Sequence, residues 1–341
     1  MNTRTDYEIL TTKDADLWNR YLEQIPIEQK DIYYTPKYYK LYEDLGDGIA
    51  QCYVFKSNHD IALYPFLKNS SNDLGFYLPD QFFDIQGAYG YNGVISSNYN
   101  KEFIANFYNS FSKYCLGENI IAEFTRFHPL IHNQLFSQNY LTVLLDRYTV
   151  VIDLKIDPEV VWNNEYSSSN RNMIRKAQKL EYSGQVFANP SIDLIDQFIS
   201  IYNNSMKKAS AEPYYYFNRT FFLKSFEYLK GRSFLINILD QNNQCICSGI
   251  FLKHGDYFHY HLSGRSYLAD NSVNNFLLHY AYQFALKTGA RSFHLGGGRS
   301  TAPDDSLLKF KRSFSRNLLP FHIGKKIHNP KIYNDLINQW E

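Results

Sequence analysis

Cysteine is scarce in this chain, with four residues at positions 52, 115, 245 and 247 of 341. They are too few and too scattered for a disulfide framework, so a reducing, cytoplasmic setting is expected. Long apolar runs are missing as well. No stretch approaches the roughly 18 residues that a membrane helix needs, and the N-terminal MNTRTDYEIL lacks an apolar signal-peptide core. A soluble protein without membrane insertion is therefore expected. An excess of either charge is lacking: 35 Lys and Arg stand against 34 Asp and Glu, a formal net charge of +1. That balance gives no diffuse footprint for a nucleic-acid duplex, so no nucleic-acid partner is expected, although a local basic patch stays open.

What is plentiful is aromatic: 30 Tyr and 26 Phe against only 3 Trp. Two readings fit, a compositional bias of the source genome or aromatic walls around a flat ligand. The length exceeds one average domain and predicts two. Helical patterns at 14–45 (Thr35 as N-cap, Pro36 at N1, Gly46 as stop) precede a hairpin AQCYVFK/IALYPFLK turning at SNHD. A strand-like run FDIQGAYGYNGVISS, a helix ending at Gly117 and a strand NIIAEFTRF complete the pattern. From residue 157 a similar order recurs: helices, two strands around QNNQ, strand, loop, helix, strand. The fold class is mixed α/β, as two copies of one unit, with a boundary near residue 150 that assigns 1–150 to one domain and 151–341 to the other.

The stretch from Tyr257 to Phe314 concentrates candidate chemistry. A strand (YFHYHLSG) runs through a polar loop into a helix N-terminus, whose unsatisfied N–H groups suit a phosphate. Gly296, Gly297 and Gly298 do not match a phosphate-binding or dinucleotide loop, because GGGRST has no lysine and runs into Pro303. They read instead as a strand exit that lets a neighbour approach closely. The period-two pairs Cys245/Cys247 and His259/His261 sit on adjacent strands. A turn at Gly255-Asp256 places the cysteines too far along for shared zinc ligation, and no metal is expected. His259 and His261 remain candidate proton acceptors or structurally bonded residues, as does His294. Arg171 and Arg175, four apart in SSNRNMIRKAQK, share a helix face and could reach one diphosphate, or form a solvated basic face.

Taken together, SSNRNMIRKAQK, the strand-loop-helix from His259 to Leu286, FHLGGG and DDSLLKFKRSF resemble the FemABX-type branch of the GNAT acyltransferase superfamily. The resemblance covers most of 150–325 and is most specific in LGGG with D-S-L-x-K-F-K-x-x-F. It implies tandem GNAT-like domains with a cleft at their junction, and an acyl-donor site in the C-terminal one. The family's Q/R-x-x-G-x-G/A pyrophosphate loop would be Arg265 to Asn275 here, where Asn and Ser replace the glycines. On this resemblance Leu262, Gly264, Arg265, Asn271, Ser272, Asn274, Asn275 and Lys311 are expected to hold a coenzyme A thioester, and Arg171 and Arg175 the phosphates of a nucleotide-linked amino sugar.

The branch proper uses an aminoacyl-tRNA donor. The balanced charge and the lack of a heptad-patterned helical insertion favour a small thioester instead. The expected function is N-acylation, with acetyl or 3-hydroxyacyl (for example 3-hydroxybutanoyl), of a dTDP-3-amino-3,6-dideoxyhexose for lipopolysaccharide or capsule synthesis. Direct amine attack is expected, with backbone N–H groups around Leu262 to Gly264 as the oxyanion hole. His261 is the first candidate base, His259 the second and Asp84 a third; Tyr267 is the candidate acid for the thiolate. Other classes are a FemX-like, tRNA-dependent peptidoglycan bridge ligase and a non-catalytic binding module.

Overall fold

The structure is a computed structural model that describes residues 5–302 and 304–340. Described residues up to Asp146, with those from Pro320 onward, pack as one unit, and Arg147–Leu319 pack as a second. The first unit contains β1 (Thr5–Thr11), α1 (Ala15–Glu23), α2 (Pro36–Leu45), β2 (Ile49–Ser57), β3 (Asp60–Ser70), β4 (Phe83–Gln86), β5 (Ile95–Ser96), α3 (Lys101–Gly117), β6 (Ile120–Arg126) and α4 (Gln134–Ser137). Local chemistry sets the helix ends as expected. The Thr35 hydroxyl accepts the Tyr38 N–H, Pro36 opens α2, and Gly46 at φ 98° stops it.

The aromatic wealth of this unit is core rather than ligand wall. Phe103, Phe107 and Phe111 of α3 pack on Tyr53, Phe55 and Tyr64 of the β2/β3 hairpin, with Tyr53 and Phe111 ring centroids 5.0 Å apart. The run from Phe83 to Ser97, expected as one strand, is broken. β4 and β5 are separated by a loop whose Gly87, Ala88 and Gly90 carbonyls accept hydrogen bonds from the Arg126 guanidinium.

The chain passes into the second unit within β7 (Thr142–Asp153) and continues through α5 (Pro158–Val160), a π-helical turn (Val161–Glu165), α6 (Ser168–Lys179), β8 (Ser183–Phe187), α7 (Ile192–Lys208), α8 (Arg219–Tyr228), β9 (Ser233–Leu239), β10 (Cys245–His254), β11 (Tyr257–Arg265), α9 (Ser272–Leu286), β12 (Ser292–Gly297) and α10 (Ser306–Arg312). It returns within β13 (Leu318–Ile327) and ends in α11 (Pro330–Trp340). Residues from 320 on thus fold with the first unit, a correction to the expected 151–341 domain. β13 pairs Ile323–Ile327 with β6, and Ile332 of α11 is buried with Phe82 and Ile121. The continuous helix expected from Asp157 to Leu180 is also interrupted. Tyr166 is extended, and Ser167 starts α6 by accepting the Asn170 N–H.

The two units repeat one strand pattern. In the first the order is β1-β2-β3-β4-β6-β13, and in the second β8-β9-β10-β11-β12-β7. In each, the fourth strand runs parallel to the fifth (β4 with β6, β11 with β12), and every other neighbour along these paths is antiparallel. The parallel step follows from a helical crossover, α3 in one case and α9 in the other. The repeat is therefore one of topology, with a fold-level duplication and no shared residue motif. Among the described residues no helix is long and apolar enough to cross a membrane.

Candidate functional site

In the second unit the parallel pair β11/β12 is joined through only three residues, Tyr257 with Ser292, Phe258 with Phe293 and His259 with His294. Past that point each strand carries a one-residue bulge. His261 is the extra residue where β11 faces Ile250 and Phe251, and Leu295 is the extra residue where β12 faces Val150 and Val151. Bulges bend a strand and end regular pairing, so the two strands part beyond His259 and His294 and leave main chain available at the split. The His259 and His294 rings lie 5.6 Å apart at its base, both buried.

Lys311 occupies the other side of this split. Asp305 accepts the Leu308 N–H to start α10 and also the N–H groups of Arg299 and Ser300, which ties the strand exit to the helix. Lys311 is then directed inward: its Nζ donates to the Gly297 carbonyl at 2.7 Å and stands 5.6 Å from the Tyr260 ring centroid. The residue is 7% exposed. Burial pushes its ammonium down to about 7, against a small opposing pull from Asp305. A lysine that titrates near neutrality can exchange a proton with an amine or a leaving group. Glycine is required here for a physical reason, since Gly296 has φ 76° and a Cβ on it would lie 3.2 Å from Lys311 Nζ.

The other expected residues fall into distinct places. His261 sits at the bulge, where burial, and after it the charge of neighbouring His259, pushes its imidazole down to about 3. It is neutral at any working pH, but so weak a base gains little by accepting a proton. Leu262 is buried. Gly264 lies under α7, because a Cβ there would come within 2.7 Å of Tyr202 Cα and 2.8 Å of the Ile201 carbonyl oxygen. The Arg265 N–H and carbonyl are both bonded to Ser205 Oγ, at 2.8 and 3.0 Å, and its guanidinium closes the loop onto the Ala269 carbonyl. Tyr267 is 73% exposed on that loop. Asp84 lies half-buried on β4 of the first unit, where burial raises its carboxyl, opposed by a hydrogen bond from Asn69. Cys247 pairs opposite Arg265 and His259 opposite Leu252, so the two period-two pairs lie well apart along the hairpin.

The start of α9, expected to receive a pyrophosphate, carries a residue that sequence reasoning passed over. The Asp270 carboxylate accepts the Ser272 N–H at 2.9 Å and pairs with Lys176 at 2.6 Å. Bonds to Lys176 first, then Ser272, hold its carboxyl down to about 2. The Val273 N–H is taken by the Asp270 carbonyl at 3.1 Å. An acid already fills the helix-end position where a phosphate would sit, and its charge repels one. Asn271 is exposed and makes no side-chain cap. The Asn274 side chain accepts a weak Cys247 S–H bond at 3.8 Å. Asn275 donates to Asn170 at 2.7 Å, and Asn170 in turn to the Ser313 carbonyl at 3.1 Å, a buried lock between α6, α9 and α10.

The arginine pair also divides. Arg171 turns back on its own chain, donating to the Trp162 and Asn163 carbonyls, each at 3.1 Å, and to that of Tyr166. It thereby satisfies carbonyls left open by the π-helical turn. Arg175 is exposed, with its guanidinium 5.6 Å from the Trp162 ring centroid. The two arginines do not form one diphosphate clamp. Asp270 was legible as an acid directly before a helix start. The buried setting of Lys311 was legible in its spacing of three from both Leu308 and Phe314, which places it on the apolar face.

Residues 167–312, the segment that holds this split, match the family of the acetyltransferase (GNAT) domain. A UDP-N-acetylmuramoylpentapeptide-lysine N(6)-alanyltransferase of Weissella viridescens is 26% identical over 200 residues, 56% of this chain and 56% of that protein. The match spans little more than half the length of that curated relative. Among solved structures, FemX superposes with a TM-score of 0.70 at 13% identity, covering 96% of this chain and 99% of that one. A tandem GNAT protein from the clavulanic acid biosynthesis pathway superposes with a TM-score of 0.55 at 7% identity, covering 96% and 99%. The chain therefore has a tandem GNAT-like, FemX-like fold, and residues 167–312 of its second unit are similar to an acetyltransferase (GNAT) domain.

Proposed function

We propose that this protein is an N-acyltransferase of the Fem kind, moving an aminoacyl group from its ester on a transfer RNA to the amine of a peptidoglycan-precursor peptide. The observation that carries the reading is Lys311, a buried lysine poised near neutrality at the split of a GNAT sheet. The acceptor amine attacks the ester carbonyl, the C–N bond forms as the C–O bond to the ribose breaks, and the departing hydroxyl oxygen takes up a proton. Neutral Lys311 accepts the proton that the amine nitrogen sheds once its bond to the carbonyl carbon has formed, and its charged form returns one to the leaving oxygen. Main-chain N–H groups beyond the His261 bulge face the developing oxyanion.

The donor choice rests on Asp270. With its carboxylate on the Ser272 N–H, the helix start suits a coenzyme A pyrophosphate poorly. That favours the bridge-ligase expectation over a thioester and an amino sugar. The likeness to a relative named as a lysine alanyltransferase supports the same acceptor class. The test is to incubate the protein with a panel of radiolabelled aminoacyl-tRNAs and muramyl pentapeptide precursors, in parallel with coenzyme A thioesters and nucleotide amino sugars. Ribonuclease-sensitive transfer to the peptide is expected. Transfer only from thioesters would replace this reading with the amino-sugar one.

A further inference from the structure

Three charged side chains hold the glycine exit of β12, and Lys311 is one of them. Its Nζ donates to the Gly297 carbonyl at 2.7 Å, while the guanidinium of Arg147, the first residue of the second unit, donates to the Gly298 carbonyl at 3.2 Å. Asp305 closes the bracket. One of its carboxylate oxygens accepts the Arg299 N–H at 3.0 Å and the Ser300 N–H and hydroxyl, each at 3.1 Å, and the other accepts the Leu308 N–H at 2.8 Å. So close an approach needs bare backbone. A Cβ on Gly298 would lie 2.4 Å from Asp305 Oδ1, and one on Gly297 3.3 Å from Arg147 Cδ.

A helix start asks its cap residue for a bond to one or two N–H groups. The Asp305 side chain makes one bond to the helix and three to the strand exit, so most of its bonding fixes the segment that carries the Gly297 carbonyl. Its charge bears on Lys311 as well. Burial would raise the Asp305 carboxyl, but the bonds from Leu308, Ser300 and Arg299 outweigh it and hold the group below the ordinary carboxylate value. At the Lys311 ammonium, Asp305 is the charge that opposes burial. The neighbouring strands bring His294 on β12, His259, Tyr260 and His261 on β11 and Arg147 on β7, none of which is an anion at neutral pH. The acid of β7 within this unit, Asp153, lies opposite Ser292 at the far end of β12, and Lys309 and Arg312 of α10 are exposed.

We propose that Asp305 is a positioning residue for Lys311, fixing the Gly297 carbonyl against the lysine and supplying the negative charge that steadies its ammonium. That Lys311 exchanges protons during transfer rests on the function proposed above; the bracket itself is a property of the folded unit and is measurable without turnover.

Competitive labelling of the intact protein with trace acetic anhydride, from about pH 5 to 10 and read by peptide mass spectrometry, gives the midpoint at which Lys311 loses its proton. A pH–rate profile gives the limb of catalysis. Asp305→Asn keeps an acceptor oxygen and removes the charge, Asp305→Ser keeps a helix cap but is too short to tie the strand exit, and Asp304→Asn removes equal charge from the exposed neighbour. Loss of an anion favours the neutral amine. Asp305→Asn should therefore lower the Lys311 midpoint, and the rate limb with it, by at least about half a pH unit, and Asp304→Asn by less than about 0.2. Asp305→Ser should in addition lower kcat at least about tenfold while KM changes less than about threefold. If it misfolds by circular dichroism, Asp305→Glu, which keeps the charge and displaces the carboxylate, takes its place with the same expected loss of kcat. An unshifted midpoint in Asp305→Asn, an equal shift in Asp304→Asn, or full kcat in the variant that unties the strand exit each overturns the proposal. A midpoint that shifts as expected in a protein that transfers from no donor would remove the proposed function and leave the bracket standing.

Discussion

Lys311 combines an internal position with a reactive protonation state, and the two make opposite demands. Its folded pKa, about 7, lies below the ordinary 10.5. Between those values the unfolded chain binds a proton that the folded chain does not, so folded stability rises with pH across the window and the cost is fully present below about 7. Lys311→Met should therefore lower kcat by about 10²–10³-fold while raising Tm at pH 6, with the gain fading toward pH 10. Calorimetric scans at several pH values check this. A lower Tm at pH 6 with kcat intact would remove Lys311 from the mechanism. The rate limb near pH 7 should belong to Lys311 and not to His261, whose imidazole is pushed down to about 3. His261→Gln should keep that limb in a pH–rate profile, even if the bulge shifts and kcat falls.

Elements were legible in the sequence where local chemistry decides them. The Thr35-Pro36 start and Gly46 stop of α2, the turn at Gly255-Asp256 and the strand–loop–helix of β11 and α9 all stand where propensity and capping put them. The bulges at His261 and Leu295 were not legible, because a one-residue slip depends on the partner strand as much as on the bulged one. Arg171 was misread for a related reason. Its spacing from Arg175 is a property of α6, but its partners are carbonyls of a π-helical turn that helical periodicity did not reveal. Arg171→Ala should thus destabilise the protein by about 1–3 kcal/mol in chemical denaturation, with acceptor KM changed less than about twofold; a large KM effect at unchanged stability would restore its phosphate role. Gly264→Val should cost more than about 2 kcal/mol, because its side chain would enter the α7 backbone at Ile201 and Tyr202.

At the scale of the molecule, sums hid what position reveals. The formal net charge of +1 is the sum of unequal parts: Arg147–Leu319 holds 21 Lys and Arg against 14 Asp and Glu, a formal +7, and the rest of the chain 14 against 20, a formal −6. The same division explains why the second domain boundary escaped sequence reading: the repeat of element order suggests two consecutive domains, yet the sixth strand of the first unit comes from the far end of the chain. β13 closes the β6 edge through Ile323–Ile327, and Ile332 of α11 fills the space beside Phe82 and Ile121. A chain ending at Leu319 would keep every described residue up to Asp146 and still lose that cover, leaving β6 as an open edge over an exposed apolar cluster. Hydrogen exchange by mass spectrometry should then show β2, β3 and β6 deprotected, while β10 and β11 of the second unit retain protection. Equal loss in both units would mean that they fold as one cooperative body. Unchanged protection in β6 would mean that its pairing with β13 contributes little, and that the first unit is complete without the chain's return.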